Sequence, residues 1–232
     1  MFYGDPTYLC FVAPGFLLVM LASWYVNSAY KKWGSVAVRS GLTGAQAAER
    51  LISSGGLTGV QVQRIGGNLT DNYDPRDKVL RLSQGVADTA SVAAVAVAAH
   101  ELGHAMQDSD NYFPLRFRAA LVPAVNIGSW LGWIMILAGM LLQMTGLAWL
   151  GVLVFSGGAV FALATLPVEL NASARAKRLL AETGIVAGPD EQDGVNSVLN
   201  AAALTYVAGL AAALLQLLYF VSLVSGMGGR RR

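Results

Sequence analysis

The sequence predicts a mostly α-helical integral membrane protein with four transmembrane helices and one small α+β domain outside the lipid. Two observations support this fold class. The 232 residues are 55% hydrophobic and 13% charged, which is about half the charged fraction of an ordinary soluble domain. Most of the charges fall in two stretches, 31–118 and 169–200, which separate four apolar runs. We therefore expect four crossings of the bilayer and two polar segments between them.

Each apolar run is long enough to cross about 30 Å of hydrocarbon as a helix. The runs are Tyr8–Val26, Leu121–Met144, Leu147–Val168 and Ala201–Met227. No Lys or Arg precedes the first run, whereas Lys31 and Lys32 follow it, so it is predicted to be an uncleaved anchor rather than a signal peptide. The link Thr145–Gly146 is so short that the second and third runs must form a membrane hairpin.

These runs define the expected domain organisation and its orientation. In order, we predict an anchor (1–30), a polar domain (31–118), a transmembrane hairpin (119–168), a polar segment (169–200), and a last transmembrane helix with a basic tail (201–232). Both polar segments then lie on the same side of the bilayer, where eight basic residues stand near the span ends, against three on the other side. The eight are Lys31, Lys32, Arg39, Arg116, Arg118, Arg175, Lys177 and Arg178, and the three are Arg230, Arg231 and Arg232. The positive-inside rule makes the polar face cytoplasmic, although the arginine tail opposes this orientation.

Charge and cysteine content exclude some classes of protein. The net charge is only +2, so nothing indicates a nucleic-acid partner; the expected partners are the lipid bilayer and a polypeptide or membrane-protein substrate. The single cysteine, Cys10, excludes an intramolecular disulfide and is expected to pack as a small apolar side chain.

The polar domain has helix and strand signals before its most informative segment. Thr43 and Gln46 have the spacing of a capping box that opens a helix through about Ser53. Val60–Gln63 and Lys78–Leu82 alternate in polarity like two short strands. We expect a small α+β domain here.

A long helix is predicted from Ala87 to Gln107. It is rich in Ala and Val on all sides until His100, which is typical of a helix buried all round. It is not expected to be a fifth span, because Asp88, Glu101 and the histidines would be costly in lipid.

Residues His100 to His104 form the pattern H-E-x-x-H, which is typical of zinc peptidases. Positions i and i+4 of a helix lie about 40° apart on one face, so two imidazoles can ligate one Zn²⁺ ion. Glu101, one step around the helix, can act as a base on a water held at the metal. These are the only two histidines of the chain, and a shuffled chain would contain the pattern with a probability of about 4 × 10⁻⁴.

A catalytic zinc site needs a third protein ligand and an open position for water. No histidine is left and Cys10 lies at the wrong end of a span, so a carboxylate is expected. Glu169 directly follows the third apolar run on the same predicted face as the motif. The remaining acids of this region are expected in a solvated loop near Gly188–Pro189: Glu182, Asp190, Glu191 and Asp193. The sequence therefore predicts one catalytic zinc ion on His100, His104 and Glu169; iron or cobalt would suit the same ligands.

Four segments resemble the YugP-type family of bacterial neutral zinc metallopeptidases of the membrane: LTDNYDPRDKVLRLS (69–83), SVAAVAVAAHELGHAMQ (91–107), LPVELNASARA (166–176) and VLNAAALTYVA (198–208). The resemblance implies a multi-pass protease of the bacterial cell membrane, with His100 and His104 as zinc ligands and Glu101 as catalytic acid/base. The small α+β domain would then be its metallopeptidase domain.

A wider likeness to membrane heat-shock and CAAX-processing metallopeptidases implies a third ligand from a downstream E-x-x-A-D motif. Glu169 matches its glutamate, but Ser173 stands where the motif has its acid. Ser173 is therefore a candidate for a residue that contacts a metal ligand without binding the metal itself.

The group that would stabilise an oxyanion is left open among three candidates, Tyr73, Tyr206 and Arg175, each of which could equally serve in packing or as a positive-inside charge. The strand pair is also expected to offer an edge on which a peptide adds as a strand. Substitutions at Leu80 or Arg81 would then reduce cleavage.

The function favoured by the sequence is a membrane-embedded zinc endopeptidase whose active site lies at the membrane–cytoplasm boundary. Two alternatives stay open. One is a non-catalytic metal-binding membrane scaffold, although such a protein would not need Glu101. The other is a site-2-type intramembrane protease, although the L-D-G triplet of that class is absent from the chain.

Overall fold

The structure, a computed structural model, describes residues 6–229 and assigns eight helices and three strands to them. The predicted arginine tail at 230–232 lies outside the described residues. The elements are α1 (Pro6–Gly34), α2 (Gly44–Ser54), β1 (Gln61–Ile65), β2 (Asn72–Asp74), β3 (Val79–Ser83), α3 (Gln84–Ala87), α4 (Val92–Ser109), α5 (Phe113–Leu141), α6 (Thr145–Phe155), α7 (Gly157–Glu182) and α8 (Pro189–Gly229).

Four helical stretches of the described chain are long and apolar enough to span a membrane, as predicted. They are Thr7–Gly34, Phe113–Leu141, Thr145–Glu182 and Pro189–Met227. They extend beyond the apolar runs, because helical hydrogen bonding continues into the polar flanks. The polar segment 169–200 is therefore mostly helix, formed by the end of α7 and the start of α8.

The chain divides into two compact units. The membrane unit comprises Arg116–Pro167 with the described parts of 1–23 and 205–232. The site unit comprises Trp24–Leu115 and Val168–Leu204. It holds the sheet, the H-E-x-x-H motif and Glu169.

In the membrane unit, α5 and α6 form the predicted hairpin. The turn lies at 142–144 and not at Thr145–Gly146, which begin α6. The backbone N–H of Met144 donates to the carbonyl of Gly139 at 2.8 Å, and Gln143 adopts a left-handed conformation (φ 56°). The turn of the hairpin therefore begins three residues earlier in the chain than predicted.

The site unit contains a three-stranded sheet of order β1-β3-β2. The two predicted strands correspond to β1 and β3, which pair in parallel, whereas β2 pairs antiparallel with β3. The sequence did not predict β2, because three residues are too few for an alternating pattern. The capping box of α2 is present as predicted: Thr43 Oγ accepts from the N–H of Gln46, whose side chain accepts from the N–H of Thr43.

The motif helix α4 begins at Val92, so the prediction of one helix from Ala87 is wrong. Ala87 ends the short helix α3, and the residues between the two helices are not helical; Ser91 among them forms a β-bridge with Ala37. Ser91 Oγ then caps α4 by accepting from the N–H of Ala94 at 3.2 Å. The first two turns of α4 are almost wholly buried, as predicted, since they belong to the core of the site unit.

Candidate metal centre

Three ligand atoms converge between α4 and α7. Nε2 of His100 lies 3.2 Å from Oε2 of Glu169, and Nε2 of His104 lies 3.5 Å from the same oxygen. All three ligand atoms lie within 4.8 Å of one another, and no other group of the described residues has this arrangement. The sequence thus selected the three side chains that the fold brings together.

Glycine permits the close approach of the two helices. A Cβ atom added at Gly103 would stand well inside van der Waals contact with the carbonyl oxygen of Ala172 on α7. Ala172 is itself fully buried. The glycine of the motif and this alanine therefore bring Glu169, one turn before Ala172, beside the two imidazoles.

The donor set and its spacing fit a zinc ion. Ligands held at about 2.0–2.1 Å in tetrahedral geometry lie about 3.3 Å from one another, close to the two His–Glu separations. The Glu169 side chain is only 3% exposed, and a buried carboxylate requires positive or hydrogen-bonding partners. A divalent cation on His100, His104 and Glu169 would satisfy it.

The other nitrogen of each imidazole also has a partner. His104 Nδ1 lies 3.0 Å from the side-chain oxygen of Gln107, and His100 Nδ1 lies 3.2 Å from the hydroxyl of Ser173. Both rings are therefore oriented with Nε2 toward Glu169. Partners of this kind orient metal-binding histidines and tune their basicity.

Glu101 lies beside this group and is held by β2. Its carboxylate accepts the backbone N–H of Tyr73 at 3.1 Å. Burial raises the pKa of Glu101, the charges of Glu169 and Asp71 raise it further, and the two imidazoles oppose the rise. A raised pKa brings a carboxylate toward the range in which it both takes up and releases a proton near neutral pH.

Comparison with known proteins agrees with this geometry. Residues 8–225 match the model of a family described as "Putative neutral zinc metallopeptidase". The chain belongs to this family. It is 44% identical over 200 residues to the "Putative membrane protease YugP" of Bacillus subtilis, covering 86% of this chain and 88% of that protein. No solved structure matches the chain. The resemblance seen in the sequence is confirmed: the chain is a membrane protein of a zinc metallopeptidase family.

The three residues predicted as candidates for stabilising an oxyanion lie in three different environments. The hydroxyl of Tyr73 donates to Asp108 Oδ2 at 2.9 Å, and burial together with this hydrogen bond raises the pKa of Tyr73. The guanidinium of Arg175 pairs with Asp110. Tyr206 belongs to the membrane unit and not to the unit that holds the candidate metal ligands.

The prediction that four acids lie in a loop near Gly188–Pro189 is wrong, because Glu182 ends α7 and the other three lie at the start of α8: Asp190, Glu191 and Asp193. Three of the four are exposed as predicted, and Glu191 is the exception. Glu191 is 3% exposed in the first turn of α8 and accepts the backbone N–H groups of Arg39 at 2.5 Å and Ala187 at 2.8 Å. It closes the connection between α7 and α8. This contact was not predictable from local patterns, because Arg39 lies 152 residues away from Glu191.

The prediction that Leu80 and Arg81 lie where a peptide can add to the sheet is wrong. β3 is central and is paired on both sides, so Leu80 and Arg81 cannot receive a peptide. Leu80 is fully buried, and the guanidinium of Arg81 pairs with Asp74 at 2.7 Å.

Sequence reasoning missed two polar residues, Gln107 and Asn171, next to the candidate metal ligands. Gln107 is fully buried; its side-chain N–H groups donate to the carbonyl of Val168 at 2.8 Å and to Asn171 Oδ1 at 3.0 Å. Their positions in the sequence, close to the candidate ligands on the same helices, could have indicated both residues. Gln107 follows His104 by three residues on the same helix face, and Asn171 lies between Glu169 and Ser173.

Proposed function

We propose that the chain is a membrane-embedded zinc endopeptidase that hydrolyses peptide bonds with one zinc ion held by His100, His104 and Glu169. The observation that carries the proposal is the convergence of these three ligand atoms within 4.8 Å, with Glu101 adjacent on α4. A site that only bound metal would not require a carboxylate that lies beside the ligands. The family described above supports the same activity.

The chemistry is divided between the ion and the chain. Bound zinc supplies Lewis acidity, which polarises a carbonyl and makes water more acidic. Glu101 takes the proton from the attacking water and returns it to the leaving amine. The N–H of Tyr73 holds the Glu101 carboxylate in position for both transfers. Glu169 neutralises charge in a pocket that excludes most water.

We place this active site at the membrane–cytoplasm boundary of the bacterial cell membrane. Glu169 follows the apolar part of α7 directly, two residues after the membrane unit ends at Pro167. The excess of basic residues on the polar segments supports a cytoplasmic site. Substrates would be polypeptides that reach this surface, including membrane proteins.

The motif helix argues against a site-2-type intramembrane protease. α4 is not among the four stretches that are long and apolar enough to span a membrane. It packs instead in the core of the site unit. The non-catalytic scaffold would not need Glu101, whereas the enzyme would lose activity without it.

The experiment that tests the activity compares Glu101→Gln with Glu49→Gln, a matched change at an exposed glutamate of α2. Each full-length protein is purified in detergent and assayed for zinc content and casein cleavage. We expect Glu101→Gln to retain zinc and to lose cleavage by about 10²–10⁴-fold, whereas Glu49→Gln behaves like the wild type. A wild-type protein that binds zinc but cleaves no more than Glu101→Gln would favour the scaffold.

A labelling experiment tests the orientation. In a Cys10→Ser background, Arg76→Cys places one thiol at an exposed position of the site unit. A membrane-impermeant maleimide should label it in lysed bacterial cells and leave it unlabelled in intact ones. Labelling in intact cells would place the site unit outside the cytoplasm.

A further inference from the structure

We infer that Gln107 is a positioning residue, whose amide holds the imidazole proton of His104 on Nδ1 and leaves Nε2 to ligate the metal. A relay of hydrogen bonds that starts at Arg175 and passes through Asn171 fixes the direction of this amide. The inference rests on the metal site of the proposed function.

The relay takes its direction from Arg175, because a guanidinium has donors and no acceptor. Arg175 Nε donates to Asn171 Oδ1 at 2.8 Å, and Arg175 is itself held by the carboxylate of Asp110. Asn171 therefore presents its oxygen at this point. A second group that meets the same oxygen must also be a donor, and that group is Gln107 Nε2 at 3.0 Å.

The backbone carbonyl of Val168 imposes the same direction independently. A carbonyl oxygen only accepts, and Gln107 Nε2 donates to it at 2.8 Å. Gln107 is fully buried, so water cannot satisfy a reversed amide. Reversal would place the amide oxygen against two acceptors and would leave buried polar groups without hydrogen bonds, which is unfavourable.

The amide oxygen of Gln107 must therefore face His104. It lies 3.0 Å from Nδ1, and because it only accepts, Nδ1 must carry the proton. A neutral imidazole with its proton on Nδ1 has its lone pair on Nε2. That nitrogen is the one that faces Glu169.

His100 provides an internal contrast. Its Nδ1 faces the hydroxyl of Ser173 at 3.2 Å. A hydroxyl can donate or accept, so Ser173 accommodates either position of the His100 proton. The structure thus assigns a fixed proton position to one of the two histidine ligands.

Zinc affinity tests the role of Gln107. The dissociation constant of the full-length protein in detergent is measured by competition with a chromogenic chelator for the wild type, Gln107→Leu and Ser173→Ala. We expect Gln107→Leu to weaken zinc binding by about 10–100-fold and Ser173→Ala to weaken it less. An unchanged dissociation constant in Gln107→Leu would overturn the inference.

A second pair of variants separates hydrogen-bond direction from packing. Asn171→Asp keeps an oxygen that accepts from both Arg175 and Gln107, whereas Asn171→Leu removes it. We expect wild-type zinc affinity in the first variant and weaker binding in the second. Equal weakening in both variants would contradict the relay.

Nuclear magnetic resonance supplies a readout that a packing role would not change. The chain has only two histidines, so zinc-loaded protein labelled with ¹⁵N-histidine gives a simple spectrum. The hydrogen bond to Gln107 should displace the Nδ1–H resonance of His104 downfield and slow its exchange with water in the wild type and in Asn171→Asp. In Gln107→Leu the proton stays on Nδ1 because zinc holds Nε2, but its resonance should move upfield; an unchanged chemical shift would contradict the inference.

These readouts do not depend on cleavage. A wild-type protein that binds zinc without cleaving casein would overturn the proposed activity and leave the relay standing. A wild-type protein that binds no zinc would overturn both.

Discussion

The site unit and the membrane unit both bring helices together at glycines, but with different results. In the site unit, Gly103 lets α4 approach the backbone of α7 at Ala172. In the membrane unit, a Cβ added at Gly139 would lie 2.5 Å from the backbone nitrogen of Ala148, and one at Gly151 would lie 2.6 Å from that of Ile136. In both units, therefore, a glycine without a Cβ atom allows the backbones of two helices to come close together.

The surroundings of the two contacts differ. Beside Gly103 stand two imidazoles, a buried carboxylate and a buried amide; His100 is hydrogen-bonded to Glu169, and His104 to Gln107. Beside Gly139 stand apolar side chains, and the outward residues of the hairpin are apolar as well, with Trp130 73% and Leu153 68% exposed. Close packing in the membrane unit therefore serves stability, whereas in the site unit it also sets the geometry of a polar site.

The largest effect is expected from Gly103→Ala. Alanine normally stabilises a helix interior by about 1 kcal/mol relative to glycine, but here the new methyl group would overlap the carbonyl of Ala172. Separation of α4 from α7 should weaken zinc binding by more than about 100-fold and lower the free energy of unfolding by about 1–3 kcal/mol. Chelator competition and thermal unfolding in detergent measure the two quantities.

Gly85→Ala is the matched control in the same unit, because its added Cβ would come no closer than 3.7 Å to any side chain, that of Tyr30. It should leave zinc affinity unchanged. Wild-type zinc affinity in Gly103→Ala would show that the helix contact does not position the ligands.

A smaller and different effect is expected from Gly139→Ala. The overlap with Ala148 should destabilise the α5–α6 hairpin by about 1–3 kcal/mol without changing zinc affinity. Gly209→Ala, where an added Cβ meets nothing within 4 Å, should not destabilise. If Gly139→Ala also lost zinc, the contrast between the two units would fail.

The smallest effect is expected from Thr43→Ala, which removes the capping box of α2. Loss of this cap should cost about 1 kcal/mol of unfolding free energy. Since α2 packs on α4 but contributes no metal ligand, the midpoint of thermal unfolding should fall while zinc affinity stays. An unaltered midpoint would mean that α2 is held by packing alone.

The sequence predicted those features that depend on local spacing. The motif residues follow from one helical turn, and the four spans follow from long apolar runs. Glu169 could be selected by elimination, because the chain has no third histidine and few acids next to a span. Ser173 was found only through the pattern of related families.

Features that depend on contacts between distant segments were not predictable. Gln107 and Asn171 become partners only because α4 and α7 meet at Gly103. Glu191 is buried and accepts the backbone N–H of Arg39, a contact that depends on the fold. β2 is three residues long and exists because β3 offers it an edge, and the break before α4 is set by the bridge to Ala37.

The central claim is that α7 supplies the third metal ligand. The most direct measurement is the zinc dissociation constant of Glu169→Gln beside that of Glu182→Gln, an exposed glutamate near the end of the same helix. Our account predicts that Glu169→Gln binds zinc more than about 100-fold more weakly, a larger loss than an outer partner of a ligand would cause, and that Glu182→Gln matches the wild type. Stoichiometric, tight zinc in Glu169→Gln would contradict the account.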